Sequence, residues 1–100
     1  MRTYSNRKMY EISFSKRSRK ALRKLRGSGR FDEQAVRTVL NTLANGEPLP
    51  GKCDNHPLQG ECADCFECHI KSDLLLIYKI DTCTKTVAVI NMGSHSELFR

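Results

Sequence analysis

The sequence predicts an α+β fold: an N-terminal strand, two helices packed on an antiparallel sheet, and a C-terminal three-strand meander that completes the sheet. Three observations predict it. Apolar residues between Phe14 and Leu43 recur at helical spacing, about 3.6 residues per repeat. Beyond Pro50 the repeat falls to about 2, the period of half-buried strands. The links between the later apolar segments are short, which makes sequential strands antiparallel neighbours.

Each element has its own signal. Residues 1–8 are polar and basic without periodicity and read as a flexible extension, so the folded domain is expected at 9–100. Met9 to Ser15 alternates bulky and polar side chains, as a strand does. Phe14, Ala21, Leu22 and Leu25 form an apolar stripe, and Gly27-Ser28-Gly29 ends that helix. A second helix starts at Asp32, an N-cap residue, and buries Ala35, Val36, Val39, Leu40 and Leu43. Asn45-Gly46 stops it, and Pro48 and Pro50 open a loop. Cys65–Lys71, Leu74–Ile80 and Thr86–Met92 read as strands, with turns at 71–73 and 81–85.

One hundred residues support one domain with a modest core. No apolar run approaches the roughly 18–20 residues of a membrane span, and no apolar segment follows the basic N-terminus, so a cytoplasmic protein is expected. Charge is unevenly spread. Residues 1–30 hold eleven of the seventeen Lys and Arg against a single acid, Glu11, a local balance of +10. Residues 31–100 hold six bases and ten acids, a balance of −4. That asymmetry points to a polyanion or an acidic partner. Lys16, Arg17, Arg19, Lys20, Arg23, Lys24 and Arg26 cover the arc of the first helix opposite its apolar stripe.

All three histidines fall after residue 55: His56, His69 and His95. An ordinary imidazole titrates near pH ~6.5, which suits it to moving protons at neutral pH. On a regular strand Glu67, His69 and Lys71 share one face and Cys68 and Ile70 the other, toward the helices. A carboxylate, an imidazole and an ammonium in one row on an open sheet face make poor core and a workable site. Taken singly, His56 and His95 are more often loop histidines making one hydrogen bond, and the row of His69 more often a solvated face with a salt bridge; taken together the three histidines suggest acid–base chemistry on an anionic polymer.

The five cysteines include Cys62, Cys65 and Cys68 at CxxC spacing, followed by His69. Such spacing occurs in zinc and haem sites. Strand alternation sends Cys62 and Cys68 one way and Cys65 and His69 the other, so one ion cannot collect all four. No metal and no cofactor is expected, and the cysteines are expected to be reduced and buried.

Five segments carry a family resemblance: Leu43-Ala-Asn-Gly-Glu-Pro-Leu-Pro50, His56-Pro-Leu-Gln-Gly60, Glu67-Cys-His-Ile70, Asp73 with Leu75-Leu-Ile-Tyr-Lys79, and Gly93-Ser-His-Ser-Glu-Leu-Phe99. In this order and spacing the chain resembles the RelE/ParE superfamily of bacterial toxins, in its YafQ-like branch, from about Tyr10 to Phe99. The resemblance implies a ribosome-dependent mRNA endonuclease that works without a metal and is neutralised by a cognate antitoxin. It implies catalytic roles for His56, His69, Asp73 and His95. The chemistry of in-line 2′-hydroxyl attack favours Asp73 with His69 on the base side, His95 as the acid and His56 on the phosphate, and the sequence leaves open which histidine is acid and which base. Glu67 and Phe99 match substrate-contacting positions, and the basic first helix would grip rRNA through Lys16, Arg17, Arg19, Lys20, Arg23 and Lys24.

One position departs from the pattern. YafQ-like sequences usually carry arginine just before the acid of the Glu-Cys-His element, and here that residue is Phe66. Lys71, Lys52 or Arg100 would then supply the missing positive charge. On a regular strand Phe66 points toward the helices and belongs to the core. The alternative reading is a RelE/ParE-fold toxin that acts by binding only, as a gyrase poison or a catalytically weakened member.

Overall fold

The computed structural model describes residues 9–29, 31–58 and 64–99. The basic extension expected at residues 1–8 lies outside them, as does Arg100. The elements run β1 (Glu11–Phe14), α1 (Lys16–Gly27), α2 (Glu33–Ala44), a 3₁₀ turn (Gly51–Cys53), β2 (His56–Pro57), β3 (Phe66–Lys71), β4 (Leu74–Asp81), β5 (Thr86–Gly93) and α3 (His95–Phe99). The sheet order is β1-β5-β4-β3-β2.

The helix boundaries follow from side-chain caps. Ser15 accepts from the Ser18 amide at 3.0 Å to start α1, while its own hydroxyl donates to the Ile90 carbonyl at 2.8 Å on β5. Asp32 accepts from the Ala35 amide at 3.1 Å to start α2. Gly46 follows α2 at φ 71°, a left-handed conformation that favours glycine, with the Met9 side chain packed against it. The core groups Val36, Val39 and Leu43 of α2 with Cys68, Leu76, Tyr78, Val87, Val89 and Met92 of the sheet. The α1 stripe contributes Leu22 and Leu25, partly buried, and its one fully buried residue is Ser18, whose hydroxyl is returned to the Ser15 carbonyl.

Three features depart from the expected plan. First, β1 pairs with β5 in parallel, Glu11 opposite Thr86 and Phe14 opposite Val89, whereas an antiparallel sheet was expected. The short-link argument reaches only β3, β4 and β5. The connection from β1 runs through two helices and crosses to the far edge of the sheet, which leaves its direction free. Second, β2 and α3 escape the periodicity because they span two and five residues. Third, β3 shifts register between His69 and Lys71, so the face alternation breaks there. Lys71 leaves the row of Glu67 and His69 and places its ammonium 2.7 Å from Asp32 Oδ2 at the start of α2.

The face away from the helices is also less open than expected. Glu67, Leu75 and Ile77, which occupy it by register, are all buried. Cys65 is buried and disulfide-bonded, so it is not the reduced thiol expected, and Cys62 lies outside the described residues. Strand β3 begins at Phe66, so the alternation argument does not extend to Cys65. Cys53, Cys68 and Cys83 are free, and Cys83 is exposed.

Candidate active site

Strand pairing brings His56 and Glu67 together. They are opposed in the β2–β3 ladder, and His56 Nε2 lies 2.8 Å from Glu67 Oε1. The other ring nitrogen, Nδ1, lies 2.7 Å from the Asp54 carbonyl oxygen. A carbonyl only accepts, so Nδ1 carries a proton. That hydrogen bond, reinforced by the charge of Glu67, holds the imidazolium of His56 above the ordinary histidine range. Both nitrogens of His56 are therefore engaged by acceptors. Glu67 Oε2 is buried and has no hydrogen-bond partner among the described residues.

His69 lies two residues along the same face of β3, opposite Leu75, which in turn pairs with Gly93 of β5. It is half-buried, and its ring makes no hydrogen bond among the described residues. The row continues to the end of β5, where the chain turns into α3. His95 opens this helix, exposed, with its ring 5.1 Å from that of Phe99 and no hydrogen bond on it among the described residues. Phe99 is itself exposed.

Asp73 sits in the turn between β3 and β4 and accepts from the backbone amide of His95 at 3.1 Å. The structure thus joins Asp73 to His95, where the expectation placed it beside His69. The reason is that the residue before it, Ser72, takes a left-handed conformation (φ 44°) in the β3–β4 turn, and the end of β5 lies next to β4. Asp73 can hold His95 in place, and among the described residues it makes no hydrogen bond to a histidine ring.

The remaining sequence candidates fall at the margins. Lys71 is engaged by Asp32, whose carboxyl it holds below the usual carboxylate range. Lys52 is exposed in the 3₁₀ turn three residues before Asn55 and makes no ion pair among the described residues. Phe66 stacks on Tyr78, ring centroids 5.7 Å apart, and packs against the core cluster on the helix side. On α1, Lys16, Arg17, Arg19, Lys20, Arg23 and Lys24 are all exposed, and of these Lys24 alone makes an ion pair among the described residues, 3.2 Å to Glu97 of α3.

Two groups were not singled out in the sequence. The Asp54 carbonyl is invisible to residue-type reasoning, since any residue offers one. Glu97 was readable: Ser94-x-x-Glu97 is a capping box, and its two hydrogen bonds form, Ser94 N–H to Glu97 Oε1 at 2.8 Å and Glu97 N–H to Ser94 Oγ at 3.2 Å.

A family model described as the YafQ toxin of bacterial type II toxin–antitoxin systems matches residues 10–100. The chain belongs to the YafQ toxin family. A curated YafQ relative, the mRNA interferase toxin YafQ of Escherichia coli strain K12, is 32% identical over 69 residues, 68% of this chain and 73% of that protein. A crystal structure described as a metal-bound toxin from Helicobacter pylori superposes with a TM-score of 0.84 at 42% identity, covering 91% of this chain and all (100%) of that one. YafQ in the Escherichia coli DinJ–YafQ toxin–antitoxin complex superposes with a TM-score of 0.79 at 29% identity, covering 92% of this chain and 99% of that one. The metal belongs to the Helicobacter protein. Among the described residues of this YafQ-family chain no group of three His, Cys, Asp or Glu side chains stands close enough to hold a metal ion. No helix among the described residues is long and apolar enough to cross a membrane.

Proposed function

We propose that this chain is an endoribonuclease that cuts mRNA on the ribosome, and that a cognate antitoxin neutralises it. The names of its curated relatives support the activity, and the DinJ–YafQ complex supports the partner. The observation that carries the chemistry is the division of labour among three histidines: one ring is used up by the protein, and two make no hydrogen bond among the described residues.

The reaction is an in-line displacement. The ribose 2′-hydroxyl attacks the adjacent phosphorus, a 2′-O–P bond forms, and the P–O5′ bond breaks. The products are a 2′,3′-cyclic phosphate and a 5′-hydroxyl. The step needs a base for the 2′-hydroxyl proton, an acid for the 5′-oxygen, and positive charge near the phosphorane. His56, protonated on both nitrogens, has no lone pair to serve as base, and with both N–H groups given to the protein it acts on the phosphate through its charge and not through a direct hydrogen bond. Glu67 and the Asp54 carbonyl keep it in that form. His69 takes the 2′-hydroxyl proton and His95 delivers one to the 5′-oxygen. Asp73 holds the backbone of His95. Phe99 lies beside His95 and offers a face for a base, and Lys52 is the exposed cation nearest in sequence to His56.

The ribosome enters because His56 lies on the edge strand β2 and His95 is exposed beyond the end of β5, an open arrangement that positions free RNA poorly. A ribosome holds the mRNA and supplies the proximity that the toxin alone lacks. The exposed cations of α1 fit rRNA phosphates, a contact that weakens with salt. Purified toxin mixed with mRNA, with and without ribosomes, tests this. Cleavage should require the ribosome and fall as salt rises. Equal cutting of naked mRNA would contradict ribosome dependence, and growth arrest without any cleavage would return the binding-only reading.

A further inference from the structure

We infer that Glu97 is a positioning residue that sets the imidazole of His95 by clamping the turn it belongs to. The catalytic consequence rests on the endonuclease reading above, whereas the clamp itself stands on geometry. Helix α3 is a single turn of five residues. A turn that short does not persist alone, because nucleating a helix costs more than one turn of hydrogen bonds returns. Something must hold it. His95 contributes nothing from its ring among the described residues beyond the contact with Phe99 inside the same turn.

Glu97 divides its two oxygens. Oε1 reaches back to accept from the Ser94 amide at 2.8 Å, and Oε2 reaches out to the ammonium of Lys24 on α1 at 3.2 Å. The Glu97 amide in turn donates to Ser94 Oγ at 3.2 Å. One side chain thus closes the capping box and ties the turn to the main body of the protein. The residue before the box is shaped for it. A Cβ on Gly93 would stand 2.8 Å from Glu97 Oε1, so a larger residue there displaces the carboxylate. These hydrogen bonds, the Ser94 amide first, hold the Glu97 carboxyl below its ordinary range, so the clamp is charged at neutral pH.

Asp73 provides the second hold, through the His95 amide. It fixes one backbone atom, at the start of the turn. Glu97 adds a hold two residues further along. The exposed Lys24–Glu97 pair is worth little by itself in water. The capping arm does most of the holding, and Glu97→Gln, which keeps a carbonyl for Ser94, should keep most of it.

The test compares Glu97→Ala, Glu97→Gln and Gly93→Ala with wild type in two measurements. The first is steady-state mRNA cleavage on programmed ribosomes. Glu97→Ala and Gly93→Ala should lower kcat by about tenfold to a hundredfold with KM nearly unchanged, as a misplaced group does, and Glu97→Gln should restore most of the rate. The second is independent of activity: an NMR contact between the His95 and Phe99 rings, and the Ser94 amide shift. Both should be lost in Glu97→Ala and kept in Glu97→Gln. A ring contact unchanged in Glu97→Ala overturns the clamp whatever the enzyme does. A lost contact with an unchanged kcat overturns its catalytic consequence. Equal losses in the Ala and Gln variants, with kcat, KM and melting temperature all worsened, would mean a general fold defect and overturn the positioning role. Wild-type protein that fails to cleave under any condition would count against the endonuclease reading, and the NMR result would still decide the clamp.

Discussion

The β2–β3 edge and the α3 end of the sheet hold their histidines in opposite ways. At the edge, His56 gives both ring nitrogens to the protein, one to a backbone carbonyl and one to the buried Glu67. At the α3 end, Asp73, Ser94 and Glu97 grip the backbone around His95 and leave its ring exposed. The first arrangement fixes a charge state. The second fixes a position and keeps a proton site available. Acid–base chemistry on a phosphodiester needs both kinds, and the two ends supply one each.

The comparison breaks most visibly at His95. Because its ring contacts only Phe99 among the described residues, His95→Ala should cost little stability, a change in melting temperature within about a degree or two. It should lower cleavage by about a hundredfold or more, the usual scale of a general acid. A variant that melts normally and cleaves normally would remove His95 from the chemistry.

His56→Ala should behave differently, with stability and activity falling together. Removing the ring leaves Glu67, buried, with neither oxygen partnered among the described residues. An unsatisfied buried acceptor costs about 1–3 kcal/mol, and more when charged. Replacing both residues together, His56→Ala with Glu67→Ala, should cost less stability than the sum of the single changes. Additive losses in denaturant melts would show that the pair does not matter to the fold.

Phe66 sharpens the contrast from the core side. It stacks on Tyr78, whose hydroxyl donates to Asn55 at 2.7 Å, one residue before His56. Phe66→Arg, the family-typical residue, should therefore lower stability by about 1–3 kcal/mol by placing a charge against the core. It should bring no gain in rate. A faster enzyme of unchanged stability would mean that the arginine reaches the phosphate after all.

The smallest expected effect is in pH. A raised pKa means that folded His56 binds its proton more tightly than the unfolded chain does. Its stabilisation is therefore complete below the unfolded value of about 6.5 and is lost as pH rises through the folded value. The gap in melting temperature between wild type and His56→Gln should narrow as pH rises from about 5.5 toward 8.5. A gap that widens would contradict the ion pair.

Much of this was legible in the sequence wherever a repeat was long enough to read. The caps Ser15 and Asp32 aside, α2, β4 and β5 declare themselves through runs of eight to twelve residues. The parallel edge was not legible, because residue patterns along β1 do not encode the direction of its neighbour. Neither was the burial of Glu67, which depends on a two-residue strand that no periodicity reveals. Lys71 was misplaced because one extra residue in β3 reverses every face assignment after it. The hydrogen bond from the His95 amide to Asp73 was not legible for a similar reason: the two lie 22 residues apart and meet through the way β5 ends. The Ser94–Glu97 box was in plain view as a local motif, and it carries the positioning that the histidine alone did not advertise.

The most direct test of the account is the chemistry at the cut ends of mRNA cleaved on the ribosome by the purified toxin. Attack by the ribose 2′-hydroxyl predicts a 2′,3′-cyclic phosphate on the upstream fragment and a free 5′-hydroxyl on the downstream one. A 2′-deoxy nucleotide at the cut site should block the reaction. A 5′-phosphate paired with a 3′-hydroxyl, or undiminished cutting of the deoxy substrate, would contradict it.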